Sequence, residues 1–203
     1  AQCHSADDDL AFIAYVSKYL KDERYIRING KPLLLVYRPS LLPSPNDTSR
    51  RWREWCRDNG IGEIFLAYTQ SFENDDPAKY GFDAAIEFPP NNSAPPDITD
   101  QVSPISDNFG CKIYDWSVFV QRSRKYKQPS YKLFRSVCPS WDNTPRRQNF
   151  STVFLNSTPA AYQEWLDNAA ADTILRFDQP DERIIFINAW NEWAEGAHLE
   201  PDQ

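Results

Sequence analysis

The sequence has fewer basic than acidic residues and no methionine. Its 203 residues include 22 lysines and arginines against 29 aspartates and glutamates, which gives a formal net charge of −7. Nucleic acid is therefore not expected as a partner, because neutralising phosphates requires a basic face. The missing methionine, the start at Ala1 and the stop after the last acidic motif together predict a piece of a longer chain.

Long apolar runs are absent as well. No stretch approaches the roughly 18 to 20 apolar residues that a membrane-spanning helix requires, so no transmembrane segment is expected in this chain. The paired arginines Arg50-Arg51 and Arg146-Arg147 are predicted to be solvated charges of loops or helix ends. No motif indicates a compartment.

Metal-binding motifs are missing too. His4 and His198 lie far apart in the sequence, and the run of aspartates from Asp7 to Asp9 suits the N-terminus of a helix better than a metal site. The cysteines, which form no Cys-x-x-Cys pair, are Cys3, Cys56, Cys111 and Cys138. No metal and no cofactor are therefore expected, and the cysteines are predicted to be scattered reduced thiols.

The hydrophobic content of 41% lets a chain of this length bury a core, and one domain over residues 1–203 is predicted. Short apolar runs bounded by turn residues predict strands at 33–37, 64–68, 83–88, 133–137 and 184–189. Apolar residues at helical spacing predict helices at 8–21, 47–58, 114–126 and from Thr158 onward. The alternation predicts right-handed βαβ units with a parallel sheet. Residues 91–110, rich in Pro, Asn, Ser and Asp, are predicted to form a long functional loop.

The most informative segment is the last predicted strand with the residues that follow it. An apolar run ends at two carboxylates, Glu192 and Glu195, interleaved with Trp190 and Trp193. Parallel α/β folds place their chemistry beyond the carboxyl ends of strands. Paired carboxylates with different pKa values are typical of glycoside cleavage, and indole faces suit sugar rings. The alternative is two solvated glutamates in the first turn of a helix, where the helix dipole favours them.

The segment from Asn188 to Asp202 resembles the signature of the glycoside hydrolase family 99-like domain found in WbsX-type polysaccharide biosynthesis proteins. The resemblance continues through residues 31–39, 81–90 and 139–144, so it spans most of the chain. It implies an α/β fold, a TIM-barrel-like (β/α)8 barrel, of which this chain would be a carboxyl-terminal portion of about five βα units. Such a portion is expected to be poorly stable alone, because it would leave a sheet edge unpaired.

The family also implies roles for the two glutamates. It implies retaining, endo-acting cleavage of α-mannoside-like glycans, in which the sugar's own 2-hydroxyl attacks the anomeric carbon. Glu192 would deprotonate that hydroxyl, and Glu195 would protonate the leaving oxygen. Asn188 and Asn191 are expected hydrogen-bond donors that keep one carboxylate ionised.

Further substrate-binding candidates lie at the ends of the other predicted strands, where barrel ligands bind. They are Arg38, Tyr68, Gln70, Glu87, Trp141 and Asp142. Each of them could equally serve loop packing. His198 follows the glutamate motif and could be a plain surface residue.

Two other functions remain open at this point. Family members carry glycosyltransferase and lipopolysaccharide biosynthesis names, so transfer of a sugar to another sugar is one alternative. No convincing Asp-x-Asp motif for a nucleotide sugar occurs, which favours hydrolysis or transglycosylation. The other alternative is a non-catalytic carbohydrate-binding barrel, although binding alone would not need both glutamates. In each case the expected partner is an oligosaccharide or polysaccharide.

Overall fold

The computed structural model describes residues 4–103 and 108–200. The helices are α1 Ala6–Leu20, α2 Pro45–Asp58, α3 Ser117–Ser123, α4 Thr144–Arg147 and α5 Pro159–Arg176. The strands are β1 Arg27–Ile28, β2 Lys31–Val36, β3 Phe65–Gln70, β4 Ala84–Glu87, β5 Lys112–Asp115, β6 Leu133–Phe134, β7 Ser136–Val137, β8 Trp141–Asp142, β9 Thr152–Leu155, β10 Phe186–Ile187, β11 Asn191–Glu192 and β12 Ala197–His198.

These elements divide between two compact units. Unit 1 comprises the described residues up to Glu87, together with Pro129–Phe134 and Phe177–Ile184. Unit 2 comprises the described residues of Phe88–Gln128, Arg135–Arg176 and those from Ile185 onward. The mixed α/β class with parallel strands is confirmed. The prediction of one domain over residues 1–203 stays a prediction.

Unit 1 is built on a five-stranded sheet in the order β1-β2-β3-β4-β6. Strands β2, β3, β4 and β6 pair in parallel, whereas β1 pairs antiparallel with β2. Every residue of β3 is buried, as expected for a central strand covered on both faces. The carboxyl ends of β2, β3 and β4 are neighbours, because Val36 pairs with Tyr68 and Gln70 pairs with Glu87.

Helices α1 and α2 pack together around one buried carboxylate. A capping box of Ser5 and Asp8 begins α1 at Ala6, two residues before the predicted start at residue 8. Asp9 is fully buried and accepts hydrogen bonds from the Thr48 hydroxyl at 2.9 Å and from Arg51 Nε at 2.8 Å. The prediction that Arg51 is a solvated charge is therefore wrong, because its guanidinium neutralises an aspartate between the two helices.

Unit 2 contains smaller sheets around an aromatic core. Strand β9 pairs in parallel with β5 and antiparallel with β8, β7 pairs in parallel with β10, and β11 pairs antiparallel with β12. Helices α3 and α5 meet through Phe119 and Trp165, whose rings stack with centroids 5.0 Å apart. Trp116 Nε1 donates a hydrogen bond to the Cys138 carbonyl oxygen at 3.1 Å. Its indole is thereby satisfied although it is fully buried.

The predicted helix at 114–126 is wrong at its start. Residues Lys112–Asp115 form β5, and the helix that follows covers only Ser117–Ser123. The parallel pairing of β5 with Thr152–Leu155 overrides the local helical spacing. That partner strand was not predicted, since only one of its residues is buried and its pattern is weak.

The predicted strand at 133–137 is divided in two. Leu133–Phe134 pairs with β4 in unit 1, and Ser136–Val137 pairs with β10 in unit 2. Arg135 stands between the two pieces, and its buried guanidinium lies 3.9 Å from the centre of the Tyr126 ring. Of the predicted loop at 91–110, residues 104–107 lie outside the described residues, and Thr99–Gln101 form a 3-10 turn.

None of the described helices is long and apolar enough to cross a membrane. Within residues 4–103 and 108–200, no three histidine, cysteine, aspartate or glutamate side chains come together as a metal site would require. Cys56, Cys111 and Cys138 are buried free thiols, and Cys3 lies outside the described residues.

Candidate active site

The two glutamates lie on a short hairpin in unit 2. Strand β11 ends at Glu192, a 3-10 turn covers Trp193–Glu195, and Gly196 turns the chain into β12 with a φ of 58°. That left-handed conformation favours glycine, which explains the Glu-Gly ending of the motif. The Trp190 carbonyl oxygen accepts the backbone N–H groups of Leu199 and Glu200 at 2.9 and 3.0 Å, which closes the base of the hairpin.

Gly196 brings the glutamate hairpin against the end of β8. A Cβ atom at Gly196 would lie 2.9 Å from the backbone nitrogen of Asp142 and 3.0 Å from its carbonyl oxygen. The Ser140 hydroxyl also donates a hydrogen bond to the Gly196 carbonyl oxygen. The structure therefore joins the Pro139-to-Asp142 motif to the glutamate motif, although they are more than 50 residues apart in the sequence. Trp141 itself is buried in the core of unit 2.

Glu195 is the more buried of the two carboxylates. Its side chain is 17% exposed and forms an ion pair with Arg146 Nη2 from α4. Burial raises the pKa of Glu195 above its ordinary value. The charge of Arg146 opposes that rise, and the charge of Glu192 adds to it. The carboxyl group therefore loses its proton at a higher pH than an ordinary glutamate does.

Glu192 has a different environment from Glu195. It is exposed, and it pairs with Ala197 across the hairpin. Its negative charge acts on Glu195, so the two carboxylates are electrostatically linked. When two neighbouring carboxylates have different surroundings, their pKa values differ, and one can act as an acid while the other acts as a base.

Two tryptophans present indole faces on this hairpin. Trp193 is 45% exposed, stacks on the His198 ring with centroids 3.9 Å apart, and donates from Nε1 to Glu200 at 3.0 Å. Trp190 is 64% exposed. The alternative that His198 is a plain surface residue is wrong, because its ring supports Trp193.

The two asparagines differ in position. Asn188 is buried, donates from Nδ2 to the Pro89 carbonyl oxygen at 2.8 Å, and follows β10 at a cis peptide bond with Ala189. Its backbone N–H group donates to the Val137 carbonyl oxygen at 2.9 Å. Asn191 is exposed on β11. The predicted hydrogen bonds from these amides to a glutamate stay a prediction, since the bond found for Asn188 goes to Pro89.

The other predicted substrate contacts lie in unit 1. Tyr68 is fully buried in the core, and its hydroxyl donates to the Asp75 carbonyl oxygen. Gln70 is buried and donates from Nε2 to the Tyr131 hydroxyl at 2.8 Å. These contacts are those of packing residues. Glu87, at the end of β4, is partly exposed, and Arg38 follows β2.

A family model described as Glycosyltransferase WbsX matches residues 1–203. The chain belongs to the WbsX family. The resemblance seen in the sequence motifs is thereby confirmed over the whole chain.

WbsX relatives of similar sequence occur in two strains of Xanthomonas campestris pv. campestris. Both bear the name Uncharacterized protein WxcX, one from strain B100 and one from strain ATCC 33913, and each is 49% identical to this chain over 201 residues. The match covers 99% of this chain but 29% of each relative. The chain thus spans less than a third of the length of these relatives.

A solved structure named Glycoside hydrolase-like protein has a similar fold. It superposes with a TM-score of 0.59 at 15% sequence identity, over 96% of this WbsX chain and 54% of that chain. At this identity the likeness concerns the fold alone. The two chains therefore share a fold over most of this chain.

Arg146 is the site residue that sequence reasoning missed. Arg146 is an exposed helix-end charge, as predicted, with 52% side-chain exposure, but the sequence did not indicate that it is also ion-paired with Glu195. The signal available in this WbsX sequence was Thr144-Pro145, which starts a short helix that carries Arg146 directly after the Asp142 motif. The partner lies 49 residues further along the chain, and no sequence spacing identifies it.

Proposed function

We propose that this WbsX-family chain carries the catalytic carboxylates of a retaining, endo-acting glycoside hydrolase for α-mannoside-like glycans. The observation that carries the proposal is the hairpin that holds Glu195 at 17% side-chain exposure and leaves Glu192 exposed. Acid and base chemistry at one site requires two carboxyl groups with different pKa values.

In the proposed reaction Glu192, ionised, accepts the proton of the substrate's 2-hydroxyl. The 2-oxygen attacks the anomeric carbon, and the bond to the leaving oxygen breaks. That oxygen keeps the electron pair and takes the proton of Glu195. Water then adds to the anomeric carbon as the 2-oxygen departs, with the two proton transfers reversed. Two displacements at one carbon retain its configuration.

The surroundings of Glu195 support its role as the acid. Burial and the neighbouring charge of Glu192 raise its pKa, so a larger fraction stays protonated near neutral pH. The exposed faces of Trp190 and Trp193 would carry the pyranose rings. The ring of His198 stacks on one face of Trp193, so a sugar would lie against the remaining indole surface.

The proposed architecture is a carboxyl-terminal portion of a (β/α)8 barrel with about five βα units. The parallel pairings of β2, β3, β4 and β6, and of β7 with β10, support it. The chain spans 29% of its curated relatives, so residues outside it would take part in the substrate pocket. The activity of the whole protein is part of this proposal.

The test is an anomeric NMR time course of the full-length protein with internal α-mannosides. Cleavage with retained configuration is expected, and Glu192→Gln and Glu195→Gln should each reduce turnover by roughly 10²- to 10⁴-fold. Glu54→Gln is the charge-matched control, because Glu54 is exposed on α2 and pairs with Arg50. Inverted products, or full turnover in Glu195→Gln, would contradict the proposed mechanism.

Glycosyl transfer is the second candidate, favoured by the family description Glycosyltransferase WbsX. An acceptor sugar can take the place of the attacking water. Each attacks the anomeric carbon through a hydroxyl oxygen and gives up one proton to the same carboxylate. Addition of a mannoside acceptor to the same assay distinguishes glycosyl transfer from hydrolysis. A longer glycan formed at the expense of the hydrolysed product would establish transfer. Glycan binding without turnover of any kind would indicate a binding barrel instead.

A further inference from the structure

Two exposed aromatic side chains lie in unit 1 where β2 and β3 end. Tyr37 is 50% exposed and Phe72 is 55% exposed, and their rings meet edge to face with centroids 6.0 Å apart. Tyr37 directly follows β2, and Phe72 lies two residues beyond the end of β3. Ligands of parallel α/β folds bind beyond the carboxyl ends of strands, and exposed aromatic faces suit sugar rings.

Arg38 stacks on Phe72, one of these two aromatic residues. The central carbon of its guanidinium lies 4.0 Å from the centre of the Phe72 ring. Among the described residues its guanidinium has neither a carboxylate partner nor a hydrogen bond, and Nε is buried. Other arginines of unit 1 are satisfied: Arg51 pairs with Asp9, and Arg53 pairs with Asp83 at 2.8 Å. The stack on Phe72 positions the guanidinium and leaves the N–H groups of its two terminal nitrogens for a ligand.

Glu73, next to Phe72, supplies hydrogen-bond acceptors, whereas Arg38 supplies donors. One of its carboxylate oxygens accepts a hydrogen bond from the Ser40 hydroxyl. The other is buried and has no hydrogen-bond partner within the described part of the chain. Within the described residues, the loops after β2 and β3 thus contain one buried donor without a partner, Arg38 Nε, and one buried acceptor without a partner on Glu73.

We propose that Tyr37, Arg38 and Phe72 form a subsite for an acidic sugar, a hexuronate unit of a glycan. The guanidinium of Arg38 binds the sugar carboxylate with two parallel hydrogen bonds, a geometry that arginine and carboxylate share. A ring hydroxyl donates to Glu73, and the ring lies on the exposed aromatic surface. A neutral hexose offers the hydroxyl but lacks the carboxylate. The subsite therefore favours uronates.

This inference rests on the proposed carbohydrate function and adds a class of sugar to it. Arg38 was predicted as a substrate contact from its place after a strand alone. Its stack on Phe72, and a guanidinium with no carboxylate partner among the described residues, now select a ligand with a carboxylate. Tyr37 and Phe72 join it as residues that the strand-end argument did not include.

The test measures binding of an α-linked galacturonate trisaccharide to the full-length protein by titration calorimetry, beside its carboxyl-reduced neutral counterpart. The unsubstituted protein should bind the acidic trisaccharide about tenfold or more tightly than the neutral one, since hydrogen bonds to charged groups are the stronger ones. Arg38→Gln should abolish that preference. Phe72→Leu should weaken binding of both trisaccharides. Arg24→Gln, at an exposed arginine that pairs with Asp22, controls for the loss of one positive charge.

Equal binding of the two trisaccharides by the unsubstituted protein would overturn the subsite, whatever the variants do. A preference that survives Arg38→Gln in a variant with unchanged thermal unfolding would overturn it as well. The α-mannoside time course on the same samples reports the proposed function separately. Retaining turnover without uronate preference leaves that function standing and removes the subsite. Uronate preference that depends on Arg38, without turnover, supports the subsite and removes the hydrolase proposal.

Discussion

Arg146 and Glu195 show how one side chain can set the state of another. Burial raises the pKa of Glu195, Arg146 lowers it, and Glu192 raises it. The proposed acid must be protonated to act. Burial increases its protonated fraction, and the charge of Arg146 decreases it. The guanidinium also orients the carboxyl group through its ion pair. Arg146 is thus a positioning residue in the proposed reaction.

The first prediction concerns the pH dependence of turnover. In Arg146→Gln the pKa of Glu195 should rise further, because the opposing positive charge is gone while burial and Glu192 remain. Glu195 then stays protonated to a higher pH, so the basic limb of the plot of kcat/KM against pH should move to higher pH. Arg147→Gln is the matched control, since Arg147 is the exposed neighbour on the same helix. If the basic limb of Arg146→Gln does not move, or moves to lower pH, the assignment of Glu195 as the acid is contradicted.

The second prediction concerns the glycine that closes the glutamate hairpin. Gly196→Ala forces a Cβ to within 2.9 Å of the Asp142 backbone nitrogen at a φ of 58°. Gly30→Ala has a φ of 75° but nothing within 4 Å of the added atom. Strain at positive φ alone reduces the free energy of unfolding by roughly 1 to 3 kcal/mol, so both variants should lose stability.

The difference between these two glycine variants isolates the contact with Asp142. Gly196→Ala should lose more stability than Gly30→Ala in thermal unfolding of the full-length protein, and it should also lose α-mannoside turnover. Gly30→Ala should keep its turnover. Equal losses of stability in the two variants would show that the close approach between Gly196 and Asp142 contributes nothing.

At the scale of elements, α1 and α2 are joined by polar contacts and not by apolar packing alone. Asp9 accepts from Thr48 and Arg51 and lies 2.6 Å from His4 Nε2. Burial opposes its ionisation, yet the hydrogen bonds from His4, Arg51 and Thr48 outweigh that effect and lower the pKa of Asp9. Because the folded pKa is lowered, the stabilisation is present above the ordinary pKa of an aspartate and is lost as the pH falls through the lowered value.

The third prediction follows from this buried contact. Asp9→Asn leaves the Arg51 guanidinium without its charge partner, and removing one partner of a buried pair costs about 3 to 5 kcal/mol. The loss should fall at the lower end of that range because Arg51 keeps a side-chain exposure of 24%. It should shrink in acid, where the carboxylate of the unsubstituted protein is itself protonated.

Urea unfolding of the full-length protein at neutral and acidic pH measures this effect. Asp22→Asn serves as the control, since the pair of Asp22 with Arg24 is exposed and should change stability little. A loss for Asp9→Asn that is the same at both pH values would show that the charge of Asp9 is not what stabilises the contact.

At the scale of the whole molecule, the chain has 203 residues, and its two Xanthomonas relatives are each more than three times as long. Strand residues Leu35 and Ile187 are exposed although they continue apolar runs. Parallel sheets are covered on both faces in complete α/β folds, so further chain in the full-length protein is expected to cover these side chains.

The fourth prediction is that residues 1–203 are much less stable alone than within the full-length protein. Hydrogen exchange should show weak protection of most backbone amides in the isolated chain and strong protection of the same amides in the full-length protein. A sharp, cooperative unfolding transition of the isolated chain, with slow exchange in β3, would contradict this expectation.

The sequence alone determined the elements with strong local patterns. The apolar runs of β2, β3 and β4 and the helices α1, α2 and α5 were predictable, because burial on a sheet or along a helix face leaves a period in the sequence. The Glu-Trp-Ala-Glu-Gly motif and its aromatic neighbours were identifiable from residue types alone. The family resemblance followed from the same motifs.

The tertiary structure alone decided the partners. Strands β5, β8 and β9 are short and partly exposed, and their pairing comes from contacts between distant segments that no local period encodes. The ion pair of Arg146 with Glu195, the approach of Gly196 to Asp142 and the stack of Arg38 on Phe72 each join residues more than 30 positions apart. Local spacing shows which side chains are available, but a carboxylate's pKa and a guanidinium's free donors depend on what the fold places beside them.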